Sequence, residues 1–199
     1  MKTVIVTGGI GSGKSAVCAF LRERGIPVYD SDQRTKSLYE CRPALIRQLE
    51  QALGQPLRTP DGHLDRSRLA RLIFSSPQAR ETLEEIVYPF VLKDFKQWRA
   101  RFRKPPFVVL ESAVILSKPL FDGLADAVVL VEAPKEERIR RILLRDGGTR
   151  ESALARMAAQ PEIPREKVDA VLQNTGSEEE LRTAAAALFS QKMPIFVND

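Results

Sequence analysis

Gly8-Gly9-Ile10-Gly11-Ser12-Gly13-Lys14-Ser15 satisfies the spacing G-x-x-x-x-G-K-[ST], and its residue types suit one task, the holding of a nucleotide's phosphates. Glycine permits positive φ and lets backbone N–H groups come close to phosphate oxygens. A helix starting inside the motif adds free donors and partial positive charge at its N-terminus. Lys14 is long enough to reach the β- and γ-phosphates, and the Ser15 hydroxyl is a ligand for Mg²⁺. The bland alternative is a glycine-rich turn that binds nothing. The flanking sequence argues against it: a β-branched run precedes the motif and an apolar helical pattern follows, the context in which such a loop works.

Phosphate binding alone does not separate kinases from GTPases, other ATPases or signalling switches. Asp30 and Asp32 follow directly on a short apolar run, Ile26 to Tyr29. In an open parallel sheet, ligands gather at the C-terminal ends of strands. A carboxylate there can accept a proton from an acceptor hydroxyl facing the γ-phosphate. Either Asp can equally cap the helix that follows, and spacing leaves both residues and both roles open. Glu111 closes the run Phe107 to Leu110. It reads either as a carboxylate holding a water of Mg²⁺ or as an ordinary polar strand end. Arg138, Arg141 and Arg145 fall at i, i+3 and i+7 on one helix face, and Arg150 and Arg156 follow beyond Gly147-Gly148. Guanidinium groups clamp phosphates and stabilise transferred charge. The glycine pair would let this segment close as a lid and exclude water. A solvated basic face, with Glu136 and Glu137 as partners, is the competing reading.

The elements that must position these residues are visible in the same sequence. Thr3 to Thr7 reads as a buried strand, Val17, Phe20 and Leu21 as a helix ended by Gly25, and Ile26 to Tyr29 as a second strand. This βαβ opening predicts a parallel sheet with helices packed on it. Phe107 to Leu110 and Ala127 to Val131 read as the third and fourth strands, and Val171-Leu172 as a weak fifth. Between the second and third strands the pattern is helical. Leu64, Leu69, Leu72 and Ile73 share a face, with Asp65 or Ser67 near its start. Ser76-Pro77 opens another helix carrying Leu83, Val87, Val91 and Phe95, in which Pro89 predicts a kink or break. A basic helix from about Lys135 to Arg145 stops at Asp146-Gly147-Gly148, and a short helix runs through Arg156. Ser177 opens a last helix with Glu178, Glu179 and Glu180 in its first turn.

The chain has 199 residues, 43% of them hydrophobic, which suits one domain with a real core. The net charge of +5 favours an anionic partner, but the basic residues are spread out and form no block of the kind that grips nucleic acid. Two cysteines, Cys18 and Cys41, lack metal-ligand spacing, and His63 is the single histidine, which excludes a zinc site and a Ser-His-Asp triad. There is no signal-peptide pattern and no apolar run of the ~18 residues a membrane span needs. A cytoplasmic, reduced protein is expected.

Taken together these motifs resemble the dephospho-coenzyme A kinase family. The family's TGGIGSGKS stands complete from Thr7 to Ser15, and its G-x-x-V-x-x-[SA]-D as Gly25 to Asp32. The family's D-G-x-L-D-R stands as Asp61 to Arg66, followed by Leu69 and Ile73-Phe74. Its lid motif R-x-x-x-R-D stands as Arg141 to Asp146, its R-x-x-x-Q as Arg156 and Gln160, and its N-x-G as Asn174 to Gly176. The resemblance runs in order along nearly the whole chain. It implies an α/β P-loop NTPase fold: a five-stranded parallel sheet with helices on both faces, a helical substrate-side insertion and an Arg-rich lid. It also implies a single domain over 1–199, with a core of about 1–40 and 104–199, an insertion of about 41–103 and a lid of about 138–160.

The implied reaction is ATP-dependent phosphorylation of the ribose 3′-hydroxyl of dephospho-CoA, the last step of CoA synthesis, with Mg²⁺. The resemblance selects Asp32 over Asp30 as the catalytic carboxylate, with Lys14 and Arg145 beside it. It assigns ATP to Gly11, Ser12, Gly13, Lys14, Ser15, Ala16, Arg141 and Asn174, and Mg²⁺ to Ser15. It assigns the dephospho-CoA side to Asp65, Arg66 and Tyr88. The implied partners are ATP and dephospho-CoA alone, without nucleic acid or membrane, and a monomer is expected. The chain departs from the family in three places. Tyr88-Pro89 replaces His-Pro, Ser117 replaces a glutamate after the third strand, and Ala16 replaces a frequent threonine. The spacing from Gln160 to Asp169 is also about two residues short, which leaves the family's nearby lysine unassigned to Lys167. Another small-molecule kinase, for a nucleotide or a sugar acid, is the alternative, against which the Asp61 to Phe74 block speaks. A nucleotide switch would need neither the acceptor carboxylate nor the arginine lid.

Overall fold

The structure, a computed structural model, describes residues 1–192. Five strands, β1 (Lys2–Thr7), β2 (Val28–Asp30), β3 (Phe107–Glu111), β4 (Ala127–Glu132) and β5 (Ala170–Gln173), form one sheet in the order β2-β3-β1-β4-β5. Every neighbouring pair is parallel. A parallel sheet is covered on both faces, so its strands read as continuous apolar runs, and β3 is buried at all of its positions. On one face Val4, Val6, Val109, Val129 and Val131 pack with Val17, Cys18, Phe20 and Leu21 of α1 (Lys14–Glu23) and with Leu181 further along the chain. Ile5, Val108, Leu110, Val128 and Leu130, on the other face, are buried as well.

The chain forms two compact units, Met1–Asp30 with the chain from Phe102 onward, and Ser31–Arg101. The boundary expected near residue 41 falls instead at Ser31. The reason is α2 (Ser31–Cys41), which packs on the helices that follow it: Arg34 makes a two-pronged bond to Asp94 at 2.8–3.0 Å. The other helices of this unit are α3 (Pro43–Leu53), α4 (Arg66–Ser75) and α5 (Pro77–Arg99). Asp65 caps α4 by accepting from the Arg68 N–H at 2.9 Å, and Ser76 caps α5 by accepting from the Ala79 N–H at 3.1 Å. Pro89 does not break α5, which runs unbroken for 23 residues. A proline inside a helix costs about 3 kcal/mol. Here Val87 before it and Val91 and Phe95 after it form one buried stripe that holds both halves in register.

The sheet unit adds α6 (Lys135–Asp146), α7 (Arg150–Ala158) and α8 (Glu178–Ala187). Gly147 ends α6 at φ 69°, and reciprocal caps open α7 at Thr149 and α8 at Ser177. Among the described residues no helix is long and apolar enough to cross a membrane.

Candidate active site

The loop between β1 and α1 is shaped by what packs against it. Gly11 and Gly13 have φ of 78° and 100°. A Cβ at Gly11 would lie 2.6 Å from the Arg138 carbonyl oxygen, and one at Gly13 would strike the Asn174 amide. Asn174 is buried and donates from Nδ2 to the Ser12 carbonyl at 2.8 Å. Arg141 donates to the Gly11 and Ser12 carbonyls at 3.3 and 3.4 Å and to Asn174 Oδ1 at 3.2 Å. In a trans peptide C=O and N–H point opposite ways, so anchoring the Ser12 carbonyl turns the Gly13 N–H away from Asn174. The loop tip is clasped too: Ile10 donates its N–H to Gln160 Oε1 at 2.6 Å and accepts from Arg138 Nε at 2.9 Å.

At the start of α1, Lys14 is half-buried and makes no ion pair among the described residues. Ser15 donates its hydroxyl to Glu111 Oε1 at 2.7 Å. Glu111 is only 6% exposed, with Arg22 3.7 Å from its other oxygen. Burial, reinforced by the Glu111 charge and by a hydrogen bond to that carboxylate, pushes the Cys18 thiol far above the usual cysteine range. The Thr7 and Ser12 hydroxyls are buried and have no hydrogen-bond partner among the described residues. Such orphans are rare, because an unmet buried polar group is costly. They therefore mark the base of the loop as a place for a polar ligand. The donor set fits Mg²⁺. With its hydrogen committed to Glu111, Ser15 keeps oxygen lone pairs for a hard cation. Among the described residues no cluster of three His, Cys, Asp or Glu could cage a metal. A cation here would be held by Ser15 together with phosphate oxygens and water.

The arginine face expected on α6 splits in two. Arg138 and Arg141 lie on the loop, but Arg145 does not. It is bound through Nε and Nη2 to Asp146, both at 2.8 Å, and Arg156 joins the same carboxylate at 2.6 Å. Those two guanidinium groups hold the Asp146 carboxyl well below the usual carboxylate range. Seven residues of helix advance about 10 Å along the axis, which carries Arg145 past the loop. Arg150 pairs with Glu136 at 2.7 Å and Arg140 with Glu137 at 2.8 Å, as the competing surface reading anticipates.

In the helical unit, Asp32 lies in the first turn of α2, where a carboxylate suits the helix dipole. Asp30 is instead the last residue of β2, opposite Glu111 in the sheet register. Tyr88 of α5 is half-buried, and burial raises its phenol well above the usual tyrosine range. Charge from Glu84, Asp32 and Tyr39, and a hydrogen bond to Glu84, push the same way. The structure thus brings Asp32 and Tyr88 into one neighbourhood. Asp65 and Arg66 have local partners: Asp65 is the α4 cap, and exposed Arg66 pairs with Glu40 at 2.7 Å. Two contacts were beyond the reach of spacing arguments. Gln160 meets Ile10 across 150 positions, and Glu111 meets Ser15 across 96.

A parallel sheet of this order, with a glycine loop after β1 and a lysine opening α1, is a P-loop nucleotide-binding fold. Residues 2–180 match the family model described as dephospho-CoA kinase, and the chain belongs to that family. It is 42% identical over 160 residues to a dephospho-CoA kinase of Porphyromonas gingivalis, covering 80% of this chain and 78% of that protein. A crystal structure from Thermus thermophilus is 37% identical, with a TM-score of 0.80 over 96% of this chain and 98% of that one. A dephospho-CoA kinase from Campylobacter jejuni, 23% identical, shares the fold with a TM-score of 0.68 over 95% of this chain and 96% of that one.

Proposed function

We propose that this chain transfers the γ-phosphoryl group of ATP to the ribose 3′-hydroxyl of dephospho-CoA, giving CoA and ADP. The observation that carries the reading is the constrained loop with Lys14 at its helix end, which makes no ion pair among the described residues, in a chain of this family. The N–H groups from Gly11 to Ala16 hold the phosphates, and Ala16 serves through its backbone where relatives offer a hydroxyl. Lys14 follows the charge that develops on the transferring group. Arg141 and Asn174, which shape the loop through its carbonyls, also border the nucleotide. Mg²⁺, held by Ser15 and the triphosphate, neutralises phosphate charge when bound.

Asp32 accepts the proton of the attacking hydroxyl. Its support is the family motif and its place two residues beyond the C-terminal end of β2. Arg145 supplies charge to the transition state once it leaves Asp146. Asp65, Arg66 and Tyr88 belong to the dephospho-CoA side. The test is ATP consumption with dephospho-CoA, nucleoside monophosphates or gluconate as acceptor. Turnover with dephospho-CoA alone is expected, and turnover only with another acceptor would refute the assignment. Within that assay Asp32→Asn should lower turnover by ~10²-fold or more, the scale of general-base loss. Asp30→Asn should be much milder, and the reverse pattern would exchange the two roles.

A further inference from the structure

Arg138 differs from the other arginines between β4 and β5. Arg140 is bound to Glu137, Arg145 and Arg156 to Asp146, Arg150 to Glu136 and Arg165 to Glu132. Arg141 is bound to loop carbonyls and Asn174. Arg138 is half-buried and makes no ion pair among the described residues. Its Nε is fixed by the Ile10 carbonyl at 2.9 Å. Its guanidinium lies against Gly9 so closely that a Cβ there would sit 2.7 Å from Cζ and collide with Nη2. Burial alone lowers its proton affinity, as expected of a cation partly stripped of water and not yet matched by an anion. It lines a cavity of 350 Å³ with Gly9, Ser12 and Gln160. Glu132, in the same wall, is taken up by Arg165 and by Gln173 Nε2.

The two ends of the loop serve different phosphates. Gly13, Lys14 and Ser15 stand at the α1 N-terminus, where backbone N–H groups cradle the inner phosphates. Gly9 and Ile10 stand at the opposite end. A guanidinium laid on Gly9 therefore meets the outermost phosphate. A fork with one nitrogen already tied down loses little freedom when its other N–H groups close on an oxyanion. We propose that Arg138 is a γ-phosphate-binding residue, in place before the lid arginines move. This rests on the kinase reading above and adds to it a residue that discriminates ATP from ADP.

The alternative is a brace: Arg138 would merely hold the Ile10 carbonyl and the shape of the loop. Equilibrium binding of ATP and of ADP, each with Mg²⁺, separates the two in wild type, Arg138→Gln and Arg138→Lys, with thermal melting to verify folding. The expected result is a loss of about tenfold or more in ATP affinity for Arg138→Gln, the scale of one charge-assisted hydrogen bond. ADP affinity should stay within about twofold, and Arg138→Lys should fall between. Equal weakening toward both nucleotides would make Arg138 a brace and overturn the proposal, as would no change toward either. Failure of the kinase reading looks different: wild type itself would consume no ATP with dephospho-CoA. Failure of this inference would show as an unaltered ATP-to-ADP preference in Arg138→Gln of a chain that does.

Discussion

Around the loop after β1, the backbone is held by side chains that approach it from far along the chain. Arg138, Arg141, Gln160 and Asn174 all bond its peptides, and Gly11 and Gly13 leave room for that approach. In the helical unit the named side chains are engaged by partners inside that unit. Asp65 caps α4, Arg66 pairs with Glu40, and Tyr88 shares a hydrogen bond with Glu84 one turn earlier. A loop built in this way has few permitted sequences, because each glycine answers a steric demand that no other residue meets. A helix face has many, since capping and surface pairing are met by several residue types. Changes in the loop should therefore strike chemistry while sparing the fold. Changes at Asp65 or Arg66 should strike stability, or substrate affinity, by modest amounts.

The largest effect expected is that of Lys14→Ala. Lys14 makes no ion pair among the described residues, so its removal leaves no buried carboxylate orphaned. The melting temperature should move by no more than a few degrees while phosphoryl transfer falls below detection. Near-normal turnover in a folded Lys14→Ala chain would break the comparison at its strongest point. Gly13→Ala should lose activity by another route, since a side chain at φ 100° is strained and would displace Asn174 from the Ser12 carbonyl. Turnover in the Gly13→Ala/Asn174→Ala double variant equal to that of Asn174→Ala alone would show that the collision dominates; a further loss below Asn174→Ala would assign the defect to the backbone.

Arg145 comes next. Arg145→Ala should lower turnover at least tenfold with ATP binding little changed, the signature of contact made only in the transition state. The ion pair it leaves is exposed, so stability should be nearly untouched. Wild-type kinetics in this variant would leave Arg145 as part of a solvated surface, and the inner pair of arginines would be the only ones acting on phosphate.

How much of this was legible differs between the two regions for the same reason. Buried parallel strands must be apolar throughout, so Thr3 to Thr7, Phe107 to Leu110 and Ala127 to Val131 announced the sheet. The loop was legible through its glycines. Its clasp was not, because Gln160 and Ile10 meet only through the fold. The split of the α6 arginines was hidden too: periodicity places residues on a face but says nothing of how far along it the partner extends. In the helical unit, the helix after Asp30 and Asp32 was expected as α2, but α3 went unread, although Leu45, Ile46 and Leu49 are its buried stripe. The run through Pro89 went unread because tertiary packing there outweighs a local breaker.

The smallest effects fall at Asp65 and Arg66, and they sharpen the comparison most finely. Asp65→Ala removes the carboxylate that accepts from the Arg68 N–H, a cap worth about 1 kcal/mol. Asp65→Asn retains an acceptor and should recover most of that loss. Arg66→Ala removes an ion pair whose side chains are 52% and 64% exposed, and such pairs contribute at most about 1 kcal/mol. Chemical denaturation therefore ranks the variants: Asp65→Ala weakest, Asp65→Asn close to wild type, Arg66→Ala close to wild type. Kinetics then ask a separate question of the same proteins. If Arg66 reaches dephospho-CoA, Arg66→Ala should raise the KM for dephospho-CoA by several-fold while the KM for ATP and the stability stay put. If Asp65 acts only as a cap, Asp65→Asn should leave both KM values alone. An Arg66→Ala variant with unchanged KM for dephospho-CoA would return Arg66 to Glu40 as a surface pair and remove it from the substrate side. A raised KM in Asp65→Asn at full stability would show that the cap also touches substrate, and that one residue can answer to a helix and to a ligand at once.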